Sequence, residues 1–262
     1  MEKYNISLAL FTWLTQASVG LLIMRALYMR ISPAGDRREI TGQYMLFTSL
    51  VALVAGLLFS FAHLNYPRNA YNAMNNTGSS WMSREILAEV IFLTVLLFWY
   101  IINRFRIKKI PQSIPEIIAI ITGLFLIYFM IRTYMLPVLH ELDNPSFPLS
   151  FIITALLGGT AAVYIFTKKN DLIPSVKFKL LFTVLFFISL ANYLIFRSFN
   201  NDLKLFDLYS LLYLAAIILS IPSLYATIKN KNGISDVIFL NLAIISDFLY
   251  RVYSLTYTNP AL

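Results

Sequence analysis

The sequence predicts an all-α integral membrane protein, a single bundle of eight transmembrane helices with both termini outside. Three observations predict it. Of 262 residues, 58% are hydrophobic and only 13% are charged, against about 45–50% and about 25% in soluble domains. So little charge cannot coat a soluble protein of this size. The apolar residues fall into eight runs of about 20, the length that crosses a hydrocarbon core. The lysines and arginines alternate between loops instead of spreading evenly.

The first span, Ile6–Tyr28, is too long for a signal-peptide apolar region, and a basic stop follows at Arg30 and Arg37–Arg38. It is expected to stay as a membrane helix. The second, Tyr44–Leu64, contains His63 at its end, and the third, Glu85–Ile102, opens on an acid. The fourth is Pro115–Met135, where Ser113-Ile114-Pro115-Glu116 reads as a capping box with an early proline. The fifth and sixth are Phe151–Thr167 and Phe178–Phe199. Pro222, with Ser220 and Ser223, could interrupt the seventh, Leu205–Ile228. The eighth, Ile234–Tyr257, carries Asp236 near its start, another helix-start acid. Backbone groups in lipid must bond internally, so these spans are helices, not open strands. The loops are short, and residues 1–262 form one domain with no room for a soluble one.

Charge sets the orientation. Loops after the odd spans hold Arg30, Arg37, Arg38, Arg104, Arg106, Lys108, Lys109, Lys168, Lys169, Lys177, Lys179, Lys229 and Lys231. The opposite side has Lys3, Arg68, Arg84, Arg197 and Lys204. The basic side is therefore expected to be cytoplasmic, in a multi-pass protein of the plasma (inner) membrane. The net charge of +8 then expresses topology. Its partner is the lipid bilayer, and no nucleic acid is expected.

Chemistry is bounded by what is missing. With no cysteine, the protein can hold neither a disulfide nor a thiolate-ligated iron–sulfur cluster. Two histidines, His63 and His140, make a multi-histidine metal site unexpected. A haem between them would need one ligand from a loop.

Ionisable residues inside a membrane are costly and point to function. They gather in the outer halves: His63 ending span two, Glu85 and Glu89 in the first turns of span three, Arg132 closing span four, Arg197 in span six, Asp247 and Arg251 in span eight. The inner halves carry nothing comparable. Structural readings stand beside each. Ser83 reads as an N-cap, and the helix dipole favours acids behind it. Asp247 and Arg251, one turn apart, can pair. Arg132 and Arg197 can snorkel. His63 shares its membrane face with carboxylates and arginines and titrates near neutrality. A hydroquinone gives up two electrons and two protons, and such groups can take the protons.

The segment HLNYPRNAYNAMNNTGSSWMSREI, His63 to Ile86, resembles the signature of the dimethyl sulfoxide reductase membrane-anchor family. The matching features are His63-Leu64 at a helix end, Pro67 in the loop, and Ser83-Arg84-Glu85-Ile86 opening the next helix. Phe11-Thr12 with Gln16 and Gly20, Ile131-Arg132-Thr133-Tyr134, and the acid–arginine pair Asp247 and Arg251 resemble the family's first, fourth and eighth helices. Asn65-Tyr66 stands where the family usually has a small pair, Asp247 where it often has glutamate, and the fourth-to-fifth loop is compressed.

The resemblance implies a subunit without haem or cluster that oxidises menaquinol to menaquinone in anaerobic respiration. It would anchor a four-cluster iron–sulfur subunit and a molybdopterin catalytic subunit, expected on the outer face. The terminal acceptor would be reduced in the catalytic subunit. In the family, the positions matching His63 and Glu85 are linked to quinol oxidation. Topology adds Arg68, Glu89, Arg132, Asp247 and Arg251 as quinol-binding candidates. A polysulfide- or nitrite-reductase-type quinone anchor is the nearest alternative. A secondary transporter would show broken helices and a midplane site, whereas the polar cluster here is lopsided.

Overall fold

The computed structural model describes residues 6–63, 72, 75–105, 111–135, 142–168, 174–199, 208–229 and 233–257, with backbone alone at 62–63, 174–175, 208–210, 222–224, 226–229, 233–234 and 256–257. Arg68, His140 and the Leu64 and Pro67 positions lie outside the described residues, as do both termini. Among the described residues there are eight helices: α1 (Ile6–Ile31), α2 (Asp36–His63), α3 (Trp81–Arg104), α4 (Ser113–Tyr134), α5 (Ser146–Lys168), α6 (Pro174–Phe199), α7 (Leu208–Lys229) and α8 (Gly233–Tyr257). Each contains or closely overlaps one expected span. Seven are long and apolar enough to cross a membrane; in α7 the described apolar part is Leu211–Ile221. The backbone of α7 stays helical through position 222, so Pro222 does not break it.

Two apolar clusters organise the bundle. One joins α1 to α2, α3 and α4 through residues such as Leu22, Leu53, Phe92, Trp99 and Met130. The other joins α1 to α5, α6, α7 and α8 through Tyr28, Val163, Phe182, Tyr213 and Tyr250. Helices α1 and α5 meet at the seam. A Cβ on Gly20 would lie 1.6 Å from the Ala155 carbonyl oxygen, and one on Gly159 would lie 2.3 Å from Gly20 backbone. Only hydrogen fits there, the small-residue packing that brings membrane helices into backbone contact. Alongside, Ser18 donates to the Ser49 carbonyl at 2.8 Å and Ser49 to the Ser18 carbonyl at 2.9 Å, fixing α1 against α2.

The inner halves of the spans are not bare, contrary to the expectation. Arg25 of α1 donates from Nε to the Gly42 carbonyl of α2 at 2.8 Å and from Nη1 to Glu116 of α4 at 2.6 Å. Its guanidinium also lies 4.6 Å from the Trp99 ring centroid of α3. One side chain thus ties four helices. Glu116 spends its carboxylate on Arg25, and no capping box forms: α4 starts at Ser113, behind Gln112, without a side-chain cap bond. Asp236 of α8 accepts from Tyr164 of α5 at 2.6 Å and pairs with Lys179 of α6 at 2.9 Å. Each half of the bundle therefore has an ion pair at the same end, buried at Arg25–Glu116 and half-buried at Lys179–Asp236.

Candidate functional site

Ser80, not Ser83, caps α3. Its side chain accepts from the Ser83 N–H, and the helix begins at Trp81. That shift of one turn moves Glu85 out of the first turn, which contains no acid. Glu85 and Glu89 fall on the same face as Phe92, Leu96 and Trp99, the buried face of α3. They are 4% and 2% exposed. Neither therefore serves as a solvated helix-start acid. Carboxyl groups at such a depth need polar company.

That company comes from α4, α5, α1 and α8. Glu85 faces the Thr133 hydroxyl of α4 and lies close enough to Glu89 for their charges to interact. Tyr134, buried at the end of α4, lies within electrostatic range of both acids and of Arg251. Its ring packs on Phe147 and Phe151 of α5, with centroids 6.3 and 6.1 Å away. The Arg251 guanidinium lies 4.0 Å from the Phe151 centroid and donates to Gln16 of α1 at 2.9 Å. A continuous buried polar tract thus runs from α3 across α4 and α5 to α1 and α8.

Asp247 and Arg251 do not pair directly. The Thr154 hydroxyl donates to Asp247 at 3.1 Å and accepts from Arg251 at 3.3 Å. The indole N–H of Trp13 takes the other Asp247 oxygen at 3.0 Å. Both charged residues are nearly sealed, at 3% and 1% exposure. Four polar atoms in the tract have no hydrogen-bond partner among the described residues: Glu89 Oε1, Gln16 Nε2, and Nε and Nη1 of Arg251. An acceptor and three donors are thus left over among the buried side chains of these helices.

The remaining expected residues lie at its margin. Arg132 is exposed and stacks on Trp81, 4.7 Å from the ring centroid, with Arg84 over the same ring at 4.4 Å. Arg197 donates to the Tyr253 hydroxyl at 2.6 Å, a specific partner where snorkelling was expected. His63 is the last residue of α2, at the end of the bundle where α3 begins. Thr154 and Trp13 carry no sequence signal, being ordinary membrane-helix residues. Gln16 and Tyr134 do carry one, since both stand in the stretches that resemble the anchor family.

The family model for the DMSO reductase anchor subunit matches residues 1–253. The protein belongs to the DMSO reductase anchor subunit (DmsC) family. It is 29% identical over 170 residues to the C subunit of the anaerobic dimethyl sulfoxide reductase of Haemophilus influenzae, covering 64% of this protein and 60% of that one. Over 157 residues it is 29% identical to the anaerobic dimethyl sulfoxide reductase subunit YnfH of Escherichia coli, covering 58% and 54%. With the C subunit of the Escherichia coli anaerobic dimethyl sulfoxide reductase it shares 26% identity over 168 residues, covering 60% and 56%. The matched part spans somewhat more than half the length of each relative. Membership confirms the resemblance carried by the His63–Ile86 block, and with it a membrane-anchor role.

Proposed function

We propose that this anchor subunit oxidises menaquinol at the His63 end of the bundle and passes the electrons to a cluster in an extrinsic four-cluster iron–sulfur subunit. A molybdopterin subunit then reduces the terminal acceptor. The observation that carries this reading is the surplus of buried hydrogen-bonding atoms without a partner among the described residues. A quinol has two hydroxyls, each able to donate and to accept. Glu89 Oε1 offers an acceptor, and Gln16 Nε2 with Arg251 Nε and Nη1 offers donors. By its chemistry the donor set fits a quinol head, and the Phe151 ring lies against the Arg251 guanidinium.

In this reading His63 and Glu85 take the protons, while Arg68, Glu89, Arg132, Asp247 and Arg251 bind and orient the head. Oxidation converts the quinol to the quinone with release of two electrons and two protons. Carboxylates and an imidazole accept and pass on protons. With no cysteine in the sequence, the electrons go straight to the partner's cluster. The loop charges favour eight crossings of the plasma membrane, both termini outside, and the partners docked on the outer face. Protons would then be released outside.

The test uses the assembled complex in membranes. His63→Ala should abolish acceptor reduction driven by a menaquinol analogue. Reduction driven by a viologen dye that feeds the partner subunits directly should persist, and the subunits should remain membrane-bound. Unchanged quinol-driven turnover would overturn the proposal.

A further inference from the structure

A second site lies at the opposite end from His63, between the start of α2 and the end of α3. A cavity of about 510 Å³ is lined there by Gln43, Tyr44, Phe47, Tyr100, Asn103 and Arg104, among others. That volume lies within the range of small-molecule sites, about 300–1,000 Å³. Its composition is graded. Phe47 and Tyr100 form an aromatic wall, 5.6 Å between centroids, and the amides of Gln43 and Asn103 and the guanidinium of Arg104 form the other edge.

We infer that this groove binds one anionic glycerophospholipid, its phosphate held by Arg104 with Asn103 and Gln43, and an acyl tail laid along Phe47 and Tyr100. Three observations select that occupant. The protein is a membrane anchor, and the strong exposure of Tyr44 (60%) and Phe47 (47%) leaves the side of the groove open. Arg104 has no ion pair among the described residues, whereas the neighbouring acids do: Glu39 is held by Arg38 at 3.2 Å and Glu116 by Arg25. The helix ends here add Arg30, Arg37 and Arg38, and the sequence running on from Arg104 adds Arg106, Lys108 and Lys109, a field that repels cationic and attracts anionic headgroups. Basic pockets between membrane helices bind anionic headgroups on these grounds. The inference is independent of the quinol reading and stands if that reading fails.

The experiment is native mass spectrometry of the whole complex, released from nanodiscs containing equal phosphatidylglycerol and phosphatidylcholine. Wild type should retain one phosphatidylglycerol in preference to phosphatidylcholine. Arg104→Gln should weaken that retention about fivefold, one basic residue's attraction to an anionic surface. Arg30→Gln, a basic residue of the same end that does not line the groove, should leave it unchanged. Gln43→Trp should fill the groove and expel the lipid with Arg104 intact. Equal retention of both lipids by wild type would overturn the inference, a result that needs no variant to fold. Equal losses in Arg104→Gln and Arg30→Gln, or a quinone or protein segment found in the groove, would overturn it too.

Discussion

Asp247 and Arg251 stand one helical turn apart on α8, yet the contact between them passes through Thr154 of α5. The hydroxyl donates to the acid and accepts from the arginine. A direct pair would have closed α8 on itself. The bridged arrangement instead holds α8 to α5, and through Gln16 and Trp13 to α1. It also leaves Nε and Nη1 of Arg251 without a hydrogen-bond partner among the described residues. Thr154→Val keeps the shape and removes both bonds. Thermal unfolding of the purified complex should show a loss of about 1–2 kcal/mol, the scale of side-chain hydrogen bonds between membrane helices. Thr154→Ser should retain most of the stability.

Glu85 and Glu89 are separated by one turn on the buried face of α3, and their environments differ. Glu85 has the Thr133 hydroxyl before it, while Glu89 has an oxygen without a partner among the described residues. Glu85→Gln should slow quinol-driven turnover by impairing proton departure, with little change in KM. Glu89→Gln turns an acceptor into a mixed donor and should act mainly on KM for the quinol analogue. Steady-state kinetics on membranes separates the two. Normal kinetics in Glu85→Gln would remove that residue from the proposed mechanism.

Much of the fold is legible in the sequence because runs of about 20 apolar residues have one stable solution in lipid. The parts that differ are those set by contacts between distant segments. Hydropathy starts span two at Tyr44, but α2 starts at Asp36, since Arg25 reaches across to the Gly42 carbonyl and draws that polar turn into the bundle. Glu116 and Asp236 read in sequence as acids that merely favour helix starts. Their partners, Arg25 and Lys179, lie on other helices, and no local spacing announces them. The candidate site is partly legible for the complementary reason. Charged residues in membrane spans are rare enough to be noticed one by one, whereas Thr154 and Trp13 are not.

Gly20 allows a test of the seam between the two halves. A Cβ there would fall 1.6 Å from the Ala155 carbonyl oxygen, and backbone cannot yield as a side chain does. Gly20→Ala should cost more than about 3 kcal/mol, beyond ordinary overpacking. It should be seen as loss of the assembled subunit from membranes. Gly78→Ala, where a new Cβ meets nothing within 4 Å, should assemble normally.

Arg25 and Glu116 form an ion pair at 2.6 Å with side chains only 4% and 14% exposed. Removing one partner from such a pair leaves an uncompensated buried charge and costs about 3–5 kcal/mol. Glu116→Gln should therefore strongly lower the unfolding temperature of the complex. Arg25→Met should cost as much or more, because it also strips the Gly42 carbonyl of its donor and Trp99 of its cation. Combining the two substitutions removes both charges, so the double variant should be more stable than the sum of the single losses implies. The difference measures the coupling. All three changes sit at the far end of the bundle from His63. Turnover per assembled complex with a menaquinol analogue should consequently stay near wild type, so stability and quinol chemistry separate in one set of variants.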